Sequence, residues 1–271
     1  MSNITPLNAI SIPFWIPFYS LFRREVFRFY KVIFQTIFTP LINSTLYLLI
    51  FGLSLGSAID LGTHFSYLAF LIPGLVTMTV LKNCFDNCSS SVSISKFCGE
   101  LEDLRVVPLS IGQIAWAMSL AGLVRGFILA VLTFGLGEFF YFFNEGKLLP
   151  ITNPGIVLFF LGTGGLAFSN LGIAVAMRAN SFDQVNSIAS FILLPLIYLG
   201  GTFFPLSELH TFWQLISWGN PIFYLINGIR YGLLGESDVN VWVCGIISLT
   251  TLLTFHFFAV YFLREGSYKR W

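Results

Sequence analysis

Apolar residues dominate this chain in long blocks that contain no Asp, Glu, Lys or Arg, at 32–59, 61–81, 106–124, 126–137, 148–177, 184–207, 211–229 and 239–263. A helix needs about 20 apolar residues to cross the hydrocarbon core of a bilayer. On that rule the blocks predict spans over 32–56, 66–85, 111–137, 155–177, 185–204 and 239–263. The block at 211–229 breaks differently. Ser207 and Glu208 are placed to cap a short helix that Gly219 ends, and Asn220-Pro221 reads as the cap and first residue of another. Two short helices that dip in and return fit this block better than one crossing, so 207–235 is expected to be re-entrant. Backbone of that kind is tolerated where protein buries it.

Upstream of the first span, SLFRREVFRFYKVIF has helical spacing. Phe22, Val26, Phe29, Tyr30 and Ile33 share one face, and Arg24, Arg28 and Lys31 share another. An amphipathic helix over 10–31 lying at the membrane surface is one reading, and a plain positive flank to the first span is the other.

Composition puts the class beyond the reach of a soluble fold. Of 271 residues 56% are hydrophobic, 31 are Phe and 10% are charged, with a mean hydropathy of +0.81. Soluble domains carry about 25% charged residues. The expectation is an all-α polytopic membrane protein, one transmembrane domain over 1–271. A net charge of +1 gives no basic field for nucleic acid. Residues 1–22 hold no Lys or Arg, so no cleavable signal is read there.

Cations set the orientation. Arg23, Arg24, Arg28, Lys31, Lys82, Lys96, Arg105, Arg178, Arg264, Lys269 and Arg270 fall on one side, leaving only Lys147 and Arg230 on the other and Arg125 within a span. The positive-inside bias then makes both termini cytoplasmic, with 264–271 as a cytoplasmic tail.

Charge gathers at one inner turn, ELEDLRVVPLS at 100–110. Gly99 precedes it and Pro108 stops it. Glu100, Glu102 and Asp103 come early and Arg105 late, which suits a short helix dipole. Leu101 and Leu104, three apart, make an apolar knob, and Ser110 with Gln113 reads as a capping box opening the third span. A docking surface and a solvated turn are both open on spacing alone.

Candidate chemistry is sparse. There is no phosphate loop of the form G-x-x-x-x-G-K-[ST], and His64, His210 and His256 are scattered without a nucleophile to activate. Cys84 and Cys88 are one turn apart but lack His partners, and they read as small apolar-like thiols rather than metal ligands. No catalytic residue and no metal site is expected. Arg125 costs about 2.5–3.5 kcal/mol at mid-span on insertion scales, so it must face protein. A structural pair with Asn83, Asn87 or Asp86 and a direct substrate contact both remain open. Gly52/Gly56, Gly122/Gly126 and Gly228/Gly232 are small-residue pairs that allow close helix contact. Gly200-Gly201 before Phe203, Phe204 and Pro205 reads as an outer hinge.

Four stretches together resemble one family. FSYLAFLIPGLVTM (65–78), KFCGELEDLRVVPLS (96–110), RANSFDQVNSIASFILLPLIYLGGTFFP (178–205) and NPIFYLINGIRYGLLG (220–235) are similar, in order, to the permease subunits of ABC-2 (type V) exporters. That family includes bacterial polysaccharide exporters, nodulation-factor exporters and antibiotic-resistance permeases. The resemblance covers about 22–264 and points to the small bacterial inner-membrane permeases that work with a separate ATPase.

The resemblance implies a homodimer joined to two ATP-binding subunits. ATP and Mg then sit on that partner, and no cofactor sits in this chain. It makes 97–107 a coupling helix, with Glu100, Leu101, Glu102, Asp103, Leu104 and Arg105 against the ATPase. Arg24, Arg28 and Lys31 belong to the interfacial helix. Spans two and five line a central path, and Gly200, Gly201, Pro205, Asn220 and Pro221 belong to an outer gate. The implied cargo of such an exporter is lipidic, amphipathic or glycan-type. The competing class is a secondary transporter or channel that needs no ATPase. Such proteins usually carry mid-membrane ionisable residues and internal repeats. Here only Arg125 qualifies, and no convincing repeat is found.

Overall fold

The computed structural model describes residues 13, 15–56, 65–105 and 108–265, and among these all regular structure is helical. A first helix, α1 (Trp15–Tyr30), precedes α2 (Ile33–Tyr47), which widens into a π-helical end at Leu48–Leu55. Then come α3 (Tyr67–Cys98), a 3-10 turn at Glu102–Arg105, α4 (Ile111–Glu145) and α5 (Pro154–Arg178). The next long helix is composite. It joins α6 (Phe182–Ile188), α7 (Leu194–Ile197) and two π-helical stretches at Ala189–Leu193 and Tyr198–Thr202. Two short helices, α8 (Thr211–Trp218) and α9 (Pro221–Leu234), lead to α10 (Val241–Glu265).

Among the described residues six helices are long and apolar enough to cross a membrane: Ile33–Ser54, Tyr67–Cys98, Ile111–Glu145, Pro154–Arg178, Phe182–Thr202 and Val241–Glu265. These are spans one to six, and the chain is a multi-pass all-α membrane protein. Spans two and three run well beyond the expected 66–85 and 111–137. At 1.5 Å per residue they reach about 48 and 52 Å, against a hydrocarbon core of about 30 Å. The expected second span stopped at Lys82 and Asp86. In the fold these two pair at 2.7 Å, one turn apart, and the helix continues through a serine-rich stretch packed on α5.

The core is built around α3, whose apolar stretch is 94% buried, against 22% for span one and 39% for span five. It packs against α4, α5 and α9, and α10 closes the far side of α5. Small residues permit the approach. At Gly122 and Gly126 of α4, an added Cβ would lie 2.9 Å from Cys88 Sγ and 2.4 Å from Cys84 Sγ respectively. Gly228 and Gly232 likewise meet Phe160 and Val157 of α5. Gly52 faces Leu68, but Gly56 lies against its own helix, so that pair does not form one contact surface.

Helix ends explain the turns. Gly99 has φ +79°, and the Glu100 N–H reaches back to the Ser95 carbonyl at 2.9 Å, a C-terminal motif that reverses the chain. The Ser110–Gln113 capping box forms in both directions, at 3.3 and 2.9 Å. Asn220 caps α9 from its side chain, accepting from the Ile222 N–H at 3.0 Å, with Pro221 first in the helix. Ser207 and Glu208 do not cap α8 as expected. They lie in a 3-10 turn (Leu206–Glu208), and His210 Nδ1 accepts from the Phe212 N–H instead.

At about 12 and 21 Å, α8 and α9 are each too short to cross. They meet at Gly219–Asn220, and this apex packs on Leu196 and Leu199 of span five. From there α9 runs antiparallel to α5, ending where the Asn153 N–H donates to the Gly232 carbonyl at 2.7 Å.

Replacing Gly126 by Leu is expected to lower stability by about 1–3 kcal/mol, because the α3–α4 seam has no room for a side chain. Leu at Gly135, where an added Cβ meets nothing within 4 Å, is the control. Thermal unfolding in detergent reads both, and equal midpoints would contradict this packing.

Candidate functional site

Span one is polar along one edge. Gln35, Thr39, Asn43 and Tyr47 recur every four residues, so they stack on one face, and Phe34, Phe38, Ile42 and Leu46 form an exposed apolar face beside them. Across from the polar edge, α3 presents Thr79, Lys82, Asn83, Asp86, Asn87 and Ser90. Leu194 and Tyr198 of span five and Arg125 of α4 complete a cleft of about 640 Å³.

The two ends of the cleft differ. Toward the α8–α9 hairpin, the Tyr47 and Tyr198 hydroxyls lie 3.2 Å apart. Phe203 packs on Tyr47, Phe51 and Tyr198, with ring centroids 5.2, 5.0 and 5.5 Å away. This is an aromatic collar. Toward α1 the lining becomes charged. Glu25, only 2% exposed, accepts from Ser91 Oγ at 2.6 Å and pairs with Arg24 and Arg28 at 3.1 Å each. Arg28 also donates to the Asn87 carbonyl at 2.7 Å. Arg125 Nη2 donates to Asn83 Oδ1 at 3.0 Å and its guanidinium lies 5.9 Å from the centre of the Phe29 ring.

The expected polar face of α1 is therefore corrected. Arg28 turns inward onto α3, Glu25 sits in the interface, and Leu21 and Phe29 bury beside it. Of the residues grouped on the apolar face, Phe29 is buried in the protein and Tyr30 is 63% exposed. Arg24 is half exposed, and Lys31 lies exposed in the turn after α1.

The 100–105 segment is corrected as well. A short 3-10 helix does form at Glu102–Arg105, but Leu101 before it is fully buried in the apolar cluster that includes Val92, Ile114 and Ala115. The reversal at Gly99 tucks it there, so it anchors the turn instead of forming a surface knob. Glu100, Glu102 and Asp103 are exposed. The side chains of Leu104 and Arg105 lie outside the described residues.

At the hairpin end, span five stops at Gly201 (φ +82°), a conformation that favours glycine. Its last carbonyls would be left open, and the hairpin meets them. Asn220 Nδ2 donates to Leu196 at 2.6 Å, Ser217 Oγ to Leu199 at 2.8 Å and Arg230 Nη2 to Gly201 at 2.9 Å. Gly200 packs on Ile222 and Ile226, and Pro205 leads into the 3-10 turn before α8. Arg230 was missed in the sequence because it counted only as an outer cation. It is buried, 3.8 Å from the centre of the Phe70 ring and 3.6 Å from Asp238. Lys96 was missed because it counted only as an inner cation. Its Nζ donates to the carbonyls of Ala176, Met177 and Ala179 at 2.9, 2.6 and 3.0 Å, binding the end of α3 to the end of α5.

The cleft is thus walled by α1 and by spans one, two, three and five, and it mixes charged, amide and apolar side chains. A family model for ABC-2 type transporters matches residues 17–234. The chain is 36% identical over 226 residues to the inner membrane transport permease YadH of Escherichia coli K12, covering 83% of this chain and 86% of that one. It is 28% identical over 258 residues to nodulation protein J of Neorhizobium galegae, covering 91% and 92%. Nodulation protein J of Rhizobium meliloti is 26% identical, with 84% of each covered. The chain belongs to the ABC-2 type transporter family, as the permease subunit of an ABC transporter.

Glu25→Ala leaves Arg28 without its carboxylate at the α1–α3 contact, and a loss of about 3 kcal/mol is expected. Glu25→Gln keeps an acceptor for Ser91 and is expected to lose less. Unfolding midpoints of the purified variants check this. A wild-type midpoint for Glu25→Ala would mean that α1 is not held by this network.

Proposed function

We propose that two copies of this chain face one another across their clefts, and that an ATP-binding subunit on each drives an amphipathic molecule, lipid-like or glycan-bearing, out of the cell through the path between them. The observation that carries this reading is the edge of span one. Gln35, Thr39 and Asn43 are exposed polar side chains on a membrane-crossing helix with only 22% of its apolar stretch buried. An amide facing hydrocarbon without a partner costs a few kcal/mol. A second protein surface and a watered path both remove that cost, and a dimeric pathway provides both.

The remaining parts take their places around that path. The cation bias puts the α1 end in the cytoplasm. The name of the Escherichia coli relative supports the bacterial inner membrane as the location. With Trp15, Ile16 and Tyr19 exposed beside Arg23 and Arg24, α1 suits the membrane surface. The α8–α9 hairpin dips from the outer face to the depth of Leu196 and returns, and the aromatic collar beneath it is the outer gate. Glu100, Glu102 and Asp103 present an acidic turn to the ATPase, which carries ATP and Mg. Leu101 and Lys96 connect that turn to α3 and α5, so movement of the turn reaches the wall of the cleft.

The test uses the chain expressed with its ATP-binding subunit and reconstituted in vesicles. Glu102→Lys with Asp103→Lys is expected to reduce permease-dependent ATP turnover at least tenfold while insertion is retained. Unchanged turnover, or failure of any ATP-binding subunit to co-purify, would contradict the reading and favour an ATPase-independent transporter.

A further inference from the structure

The charged end of the cleft holds one cation too many. Arg28, Lys82 and Arg125 line it, with Asp86 in the wall and Glu25 behind Arg28. Glu25 is shared between Arg24 and Arg28 at 3.1 Å each, and Asp86 pairs with Lys82 at 2.7 Å. Arg125 forms no ion pair among the described residues, and its contacts are neutral: the Asn83 amide oxygen and the Phe29 ring. Two donors at this end are also buried without a hydrogen-bond partner, Arg125 Nε and Asn87 Nδ2. Leaving a buried donor unmet costs about 1–3 kcal/mol, more for a charged group. A place with a spare positive charge and two unmet donors fits a ligand with a negative charge and several acceptor oxygens.

The shape of the cavity says how such a ligand would lie. Above Arg125 the lining carries no charge, and Leu75, Met78, Pro40 and Leu194 form an apolar stretch beside Thr39 and Asn43 up to the paired tyrosines. A smaller cavity of about 270 Å³ shares Lys82, Asp86, Ser90 and Leu194 with the cleft, and opens between α3 and α6 beside Ser93 and Asn186. The charged end is thus reached from the side as well as along the cleft.

We infer that this end receives the oxyanion head group of an amphiphile, a phosphate ester being the type, with Arg125 and Asn87 as its donors and the apolar stretch above taking the chain. Arginine suits this task because its planar fork of N–H groups matches phosphate oxygens. The inference rests on the reading of the cleft as the transport path.

The test is a titration of the full-length protein, purified in a maltoside detergent and followed by its thermal unfolding midpoint. The probes are dodecyl phosphate, the zwitterion dodecylphosphocholine and inorganic phosphate. Dodecyl phosphate is expected to raise the midpoint saturably, at a concentration at least tenfold lower than either of the others requires. Arg125→Gln is expected to weaken that response at least tenfold, and Asn87→Ala about threefold or more. Arg125→Lys, which keeps the charge, is expected to retain part of the response should the glutamine variant fail to fold. Arg23→Gln, on the exposed face of α1, is expected to respond as wild type.

An equal response to the zwitterion would overturn the head-group assignment, as would wild-type behaviour of Arg125→Gln. Inorganic phosphate giving the whole effect would make this a free-anion site and overturn the amphiphile. If dodecyl phosphate fails while the ATP-binding subunit still co-purifies and the Glu102/Asp103 reversal still uncouples turnover, the head group falls and the transport reading stands.

Discussion

Inside a bilayer every polar group must be met by protein or by water, and that constraint organises this structure. Most of the interior polar groups are met from within the chain. Lys96 closes the carbonyls at the end of α5, and Asn220, Ser217 and Arg230 close those at the end of span five. Ser91 and two arginines hold Glu25. His256 meets Asn170 at 3.0 Å and packs at a tilt against the Trp116 ring. Each of these contacts ties two helices together, so the polar residues position the bundle that the apolar residues fill. Along the edge of span one Gln35, Thr39 and Asn43 stay exposed, and the cleft lies there.

Much of the architecture was legible because it rests on local patterns. Six spans, the Ser110 capping box, the Asn220-Pro221 helix start and the close approach at Gly122 and Gly126 all follow from short-range spacing and residue size. The second span was read only to 85, next to Asp86, and the third only to 137, next to Glu138, because charge was taken as a boundary. Lys82 and Asp86 read as an i,i+4 ion pair at the inner edge of span two, and that pair forms, but the helix runs on past it to Cys98. The fifth span reads as one apolar block, yet Pro195 and Gly201 make it a composite helix with widened turns.

The candidate site was less legible, since its contacts join residues far apart in the chain. Glu25 to Ser91, Lys96 to Ala176 and Arg230 to Gly201 are separated by 66, 80 and 29 positions. Leu101 misled for a related reason. Its spacing from Leu104 suggested a surface knob, but after the reversal at Gly99 it is buried in the cluster that includes Val92 and Ile114. One signal in the sequence pointed at the cleft, the four-residue repeat of Gln35, Thr39, Asn43 and Tyr47, and a charge-only survey passes over uncharged polar residues.

The central claim is that this repeat faces a watered path rather than lipid. Single cysteines placed along span one test it in native membranes, with Cys98 replaced by Ser because it is exposed, while Cys84, Cys88 and Cys244 are buried. Gln35→Cys, Thr39→Cys and Asn43→Cys are predicted to react with a charged, water-soluble thiol reagent, and Phe34→Cys, Phe38→Cys and Ile42→Cys to stay protected. Equal labelling of the two faces, or protection of all six positions, would contradict the account.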